Sequence, residues 1–133
     1  VLAAAGTQYI GVMMYMALRA LAQAGELATL FRYGKAAPPL VVNTEDVQNF
    51  AALALYDGAI WSLHEEMVPL MQPGPWAARG SGAQFARGAL AAGASPWQAL
   101  KIASTLDAGT GAPYYRVNAA GICTVKYDEE VQI

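Results

Sequence analysis

Residues 80–112 read GSGAQFARGALAAGASPWQALKIASTLDAGTGA, and the fold class turns on this stretch. It encodes two helices in succession. Phe85, Ala89 and Leu90 mark the apolar face of the first, over residues 83–92, and Gly93 closes it. Ser95-Pro96-Trp97-Gln98 then opens the second. Ser95 can cap, Pro96 occupies the first helical position, and Gln98 can bond back to complete a capping box. Its spacing turns Trp97, Leu100, Ala103 and Leu106 inward, and it ends near Asp107 before the Gly-rich turn 108–111. Consecutive helices between strands argue for an α+β layered fold and against alternating βαβ units.

Working outward, residues 114–118 and 122–127 read as two strands joined by 119–121, with Asp128-Glu129-Glu130 as a solvated tail. On the other side, residues 76–79 read as a short strand entering Gly80-Ser81-Gly82, and the Pro-rich segment 67–75 reads as a loop. Apolar runs at 48–56 and 59–63 flank Asp57-Gly58, a hairpin signal because both turn positions need positive φ. Residues 25–43 are irregular, with Tyr33-Gly34-Lys35 and Pro38-Pro39 as punctuation and a helical turn or two around 27–31. Residues 1–5 read as the end of a buried strand. Gly6 breaks it, Thr7 can cap a helix running to about 24, and Gly25 stops that helix. The whole, residues 1–133, is expected to be one domain without internal repeats.

Composition narrows the function. The chain has 133 residues, 56% hydrophobic and only 14% charged, against about 25% charged in ordinary soluble domains. So charge-poor a chain implies faces covered by partners, as in a homo-oligomer or larger assembly. A net charge of −2 removes the main drive toward nucleic acid. Cys123 is the single cysteine, which excludes an intramolecular disulfide framework and a cysteine-based zinc site. The uncharged opening stretch is too polar for a membrane span and lacks the basic start of a signal peptide. The chain begins at Val1 and not at methionine, so a segment upstream is expected.

Three motifs, in order, resemble one family. Ala3-Ala4-Ala5-Gly6-Thr7 before a long helix resembles the Ala-Gly-Gly-Thr strand-to-helix turn of the bacterial peptidase HslV, and a hairpin like that at Asp57-Gly58 follows in HslV too. Ala78-Arg79-Gly80-Ser81-Gly82-Ala83-Gln84-Phe85-Ala86 resembles a strand-turn-helix of the same family. Leu106-Asp107-Ala108-Gly109-Thr110-Gly111-Ala112 resembles the Asp-x-x-Ser-Gly-Gly turn of proteasome β subunits, with Thr110 at the serine position. The chain thus resembles the HslV/proteasome type of N-terminal-nucleophile hydrolase, with small, Ala-rich phage-encoded relatives closest in style.

That resemblance implies an αββα four-layer sandwich lacking its first strand hairpin. It implies amide-bond hydrolysis by an N-terminal threonine whose own amine is the general base. The nucleophile would lie on strands before Ala5, hence outside this chain. Ser81, Asp107 and Thr110 would form the shell around its amine, and backbone N–H groups at Ala5 and Gly6 the oxyanion hole. Ala5 stands where the family has a glycine. Gly80, Gly82 and Gly111 would shape the turns. A peptide substrate, an oligomeric chamber and an ATPase partner of the HslU kind follow by resemblance, with no cofactor and no metal. The location would be cytoplasmic, or virion-associated for a phage-encoded protein. The alternative is a non-catalytic structural or assembly protein that keeps the fold, like proteasome α subunits or a virion component.

Read without the family, the same residues are plainer. Gly80-Ser81-Gly82 is a capped strand-to-helix turn. Asp107 opposes the helix macrodipole, so it has either a local turn bond or a job, and Thr110 is a turn residue. His64, beside Glu65-Glu66, is the sole histidine and reads as a solvated loop residue. Cys123 reads as a small buried hydrophobe. Met13, Met14 and Met16 read as packing, and Trp61, Trp76, Trp97, Tyr114 and Tyr115 as core or interface residues.

Overall fold

The computed structural model describes residues 2–5, 8–33, 51–63 and 68–133. The expected cap at Thr7, the punctuation at 34–43, His64 and its two glutamates, and Met67 lie outside the described residues. Helix and antiparallel sheet are mixed in an α+β chain, divided into two compact units, Leu2–Pro73 and Gly74–Ile133. No helix among the described residues is long and apolar enough to cross a membrane.

In the first unit, strand β1 (Leu2–Ala5) leads to helix α1 (Gln8–Gln23), and Gly25, at φ +74°, ends the turn after it. Helix α2 (Leu27–Tyr33) follows, somewhat longer than the turn or two expected there. Strands β2 (Ala51–Tyr56) and β3 (Ala59–Leu63) form the hairpin around Asp57-Gly58. Asp57 (φ 51°) and Gly58 (φ 72°) both adopt positive φ, the twist that lets a two-residue turn join right-twisted strands.

The antiparallel sheet has the order β1-β2-β3-β4. Strand β4 (Leu70–Met71) arises inside the segment expected to be a loop. Pro69 and Pro73 hide it in the sequence, yet prolines beside a two-residue edge strand obstruct no ladder bond of an inner strand.

Ala52, Ala54 and Leu63 line one sheet face and pack with Leu21, Leu30 and Phe31 of the helices. The Phe31 ring stacks on Tyr56 at 4.2 Å and meets Trp61 edge-on at 5.2 Å. Small alanines on the strand let these aromatics reach the sheet. Ser62, on the opposite face, is buried and accepts a hydrogen bond from Gln72 Nε2 at 3.1 Å. Met16, expected in packing, is 63% exposed: it lies on the outer side of α1, whose inward residues here are Ala17, Leu18 and Leu21.

In the second unit, residues 76–79 form no strand, contrary to the sequence reading; Arg79 and Arg87 instead both donate to the Ala78 carbonyl. Helix α3 (Ala83–Ala91) and helix α4 (Pro96–Leu106) follow. Their shared core is alanine: Ala86, Ala89, Ala99 and Ala103. Small side chains let the helix backbones approach, so the larger residues spread to the sides. Leu106, expected inward, is 59% exposed for this reason. The capping box forms as expected, with Ser95 Oγ accepting from Gln98 N and Gln98 Oε1 accepting from Ser95 N.

Strands β5 (Tyr114–Val117) and β6 (Cys123–Lys126) form a separate antiparallel ribbon. Asn118 Oδ1 accepts from the Ala120 and Ile122 amides and organises the loop between them. By register, Tyr114, Arg116, Thr124 and Lys126 share one face, and Tyr115, Val117, Cys123 and Val125 the other. All four residues of the second face are exposed, Cys123 among them.

The acidic tail is also more than a solvated end. Residues Asp128–Glu130 make a 3-10 turn, Lys101 Nζ donates to the carbonyls of Asp128 and Val131 at 2.7 Å each, and Val131 is buried. Local charge made the segment look free, whereas α4 supplies its partners from far along the chain.

Candidate functional site

The site is built where the chain enters α3 and leaves α4. Gly80, at φ +104°, turns the backbone into Ser81, and Gly82 is the N-terminal flanking residue of α3. Asp107 follows the last turn of α4, its backbone already extended. The helical hairpin thereby brings residue 81 back beside residue 107. Ser81 Oγ donates to Asp107 Oδ2 at 2.7 Å, and Thr110 Oγ1 donates to the same oxygen at 2.6 Å. The Thr110 amide also bonds the Asp107 carbonyl at 3.1 Å, closing the turn.

Two glycines make this convergence possible. A Cβ on Gly82 would stand 2.5 Å from Thr110 Oγ1 and 3.2 Å from Asp107 Oδ2. A Cβ on Gly109 would stand 2.6 Å from Ser81 Oγ. Gly109 was not singled out in the sequence; its signal was a glycine directly before the threonine of a tight turn. A Cβ on Gly111 would meet open space.

The electrostatics follow from the donors. The hydroxyl of Thr110, then that of Ser81, hold the Asp107 carboxyl below its ordinary value of 3.8, with the Gly109 amide assisting against partial desolvation. Asp107 is therefore ionised at neutral pH and a poor general base, so Ser81 gains no nucleophilic activation from it. What the cluster can do is hold a cationic group. Each hydroxyl spends its proton on Asp107 and keeps lone pairs for a further donor. Ser81 is exposed and Thr110 half-buried, so an ammonium group has access.

Ala5 ends β1, in register with Ala51, and belongs to the other compact unit. Gly6 lies outside the described residues. Among the described residues, no group of three or more His, Cys, Asp or Glu side chains is placed to hold a metal ion.

A second polar cluster ties α4 to the ribbon and tail. The Tyr114 hydroxyl lies 3.0 Å from Ser104 Oγ and donates to Asp128 Oδ1 at 2.8 Å. Burial pushes this phenol above its ordinary 10.0; Asp128 adds to the rise and Ser104 opposes it.

No protein-family model matches the chain, and no curated protein matches it.

Proposed function

We propose that the chain is a subunit of an HslV/proteasome-like N-terminal-nucleophile hydrolase, of αββα sandwich type, that hydrolyses amide bonds. In this reading an N-terminal threonine reaches the site from strands upstream of residue 1. Ser81, Asp107 and Thr110 orient its amine, and the amides at Ala5 and Gly6 bind the developing oxyanion. One observation carries the reading: two hydroxyls from separate turns meet one ionised carboxylate oxygen and leave their lone pairs open. That arrangement suits an α-amine, which must be held yet exchange protons near neutral pH. The three residues are those that the motif order implies. Self-association into a closed oligomer, with peptide substrates in its chamber, belongs to the same proposal.

The test is N-terminal sequencing and intact mass of the protein from its source, before and after treatment with a peptide vinyl sulfone. The reading expects a polypeptide that begins with threonine and gains one adduct at that residue, from a particle larger than a monomer by gel filtration. Absence of any amino-terminal threonine, serine or cysteine overturns it. The Ser81–Asp107–Thr110 cluster is then a brace between two turns of a non-catalytic assembly protein.

A further inference from the structure

The face of the ribbon that carries Tyr114 also carries two cations with no carboxylate. Arg116 stands diagonally across the strand pair from Lys126, because Arg116 faces Thr124 and Tyr114 faces Lys126. Both reach the same indole: the Arg116 guanidinium lies 5.5 Å and the Lys126 ammonium 5.2 Å from the Trp97 ring centroid. Neither cation has a hydrogen bond or ion pair among the described residues, and the Trp97 indole N–H has no acceptor there. The carboxylate nearest in sequence to Lys126, Asp128, is engaged by Tyr114 and stands 3.8 Å from Lys101. Trp97 is held in place by the first turn of α4, where Pro96 and the Ser95 capping box set the backbone.

Two cations thus lie over one ring, and neither they nor the ring's own N–H meets an acceptor among the described residues. Two like charges on one aromatic group repel each other, and an anion between them would remove that repulsion while bonding both. A carboxylate suits the set. Its two oxygens match the guanidinium fork, and either can also accept from the ammonium or the indole N–H. We propose that Trp97, Arg116 and Lys126 form a binding site for an oxyanion group, and that its occupant is a carboxylate of an acidic peptide segment. The site stands on its own geometry and does not depend on the peptidase reading.

The test is an NMR titration of the full chain with a short blocked oligoglutamate peptide, with inorganic phosphate in a parallel arm. The readout is the indole N–H resonance that disappears in Trp97→Phe. The peptide should shift that resonance saturably, with an affinity that falls as salt is added. R116Q and K126Q should each weaken binding about tenfold, the double variant should abolish it, and R19Q, in the other unit, should leave it unchanged. No shift at about 10 mM peptide, or equal binding by the double variant, overturns the site. Binding of phosphate without the peptide overturns the assignment of the occupant.

Discussion

Replacing Gly82 with alanine tests the architecture of the Ser81–Asp107–Thr110 cluster. The backbone permits the change, because Gly82 has φ −86°. The added methyl does not fit, since it would stand 2.5 Å from Thr110 Oγ1. An ordinary carbon–oxygen contact needs about 3.3 Å, so Thr110 must leave its rotamer or the turn must shift. Thr110 is β-branched and stiff, and leaving that rotamer ends its bond to Asp107. Overpacking of this kind costs about 1–3 kcal/mol, and the lower chain entropy of unfolded alanine returns about 0.4–1 kcal/mol. G82A should therefore be less stable by about 1–2 kcal/mol. G88A is the internal control. Gly88 lies inside α3 with nothing within 4 Å of an added Cβ, so alanine there should stabilise by about 0.5–1 kcal/mol. Urea and thermal unfolding followed by circular dichroism would place the two variants on opposite sides of the parent. T110A should recover part of the G82A loss, because it removes the nearest clashing atom and leaves Asp107 Oδ2 at 3.2 Å and Ala103 Cβ at 3.4 Å. If G82A matches G88A in stability, the packed turn described above is wrong.

The Asp107 carboxyl should titrate below 3.8 by NMR, and T110V should raise its midpoint more than S81A does. Because its folded value is depressed, its contribution to stability is complete above pH 3.8 and disappears as pH falls through the lower folded value. Tyr114 should ionise above its ordinary 10.0 in a titration read against Y114F, and the stability linked to it is present below pH 10 and lost as pH rises through its raised value. Y114F, which removes a buried hydroxyl bonded to Ser104 and Asp128, should destabilise by about 1–2 kcal/mol in urea unfolding. Cys123 should react fully with a thiol reagent in the native protein, without denaturant.

Legibility in the sequence followed the range of the interaction. Asp57-Gly58 and Ser95-Pro96-Trp97-Gln98 act through neighbours within a few residues, and both formed as read. Whether residues 70–71 or 76–79 became the strand depended on the reach of β3, which no local pattern states. Of the residues that spacing turns inward on α4, Ala103 is buried and Leu106 is not. Alanine on α3 faces alanine on α4, and close approach of the backbones displaced Leu106 outward. Cys123 is exposed where its strand pattern suggests burial, because a short two-sided ribbon gives no sign of which face is covered. In the site, Ser81, Asp107 and Thr110 were visible as motif positions, while Gly109 was not, since its role is only the absence of a side chain.

The Gln98 amide has an unusual position in this network. A capping box accepts glutamate or glutamine alike, because only the carbonyl oxygen is used. Here that oxygen takes the Ser95 amide while the nitrogen donates to the Gln132 carbonyl at 3.1 Å. The two ends of one side chain are thus assigned by their partners, and the amide cannot be flipped without breaking both bonds. Glutamate at 98 would keep the start of the helix and lose the bond to Gln132, leaving Lys101 to hold the carbonyls of Asp128 and Val131. The interchange that most helices tolerate carries a cost in this one, because a single planar group joins the beginning of α4 to residue 132.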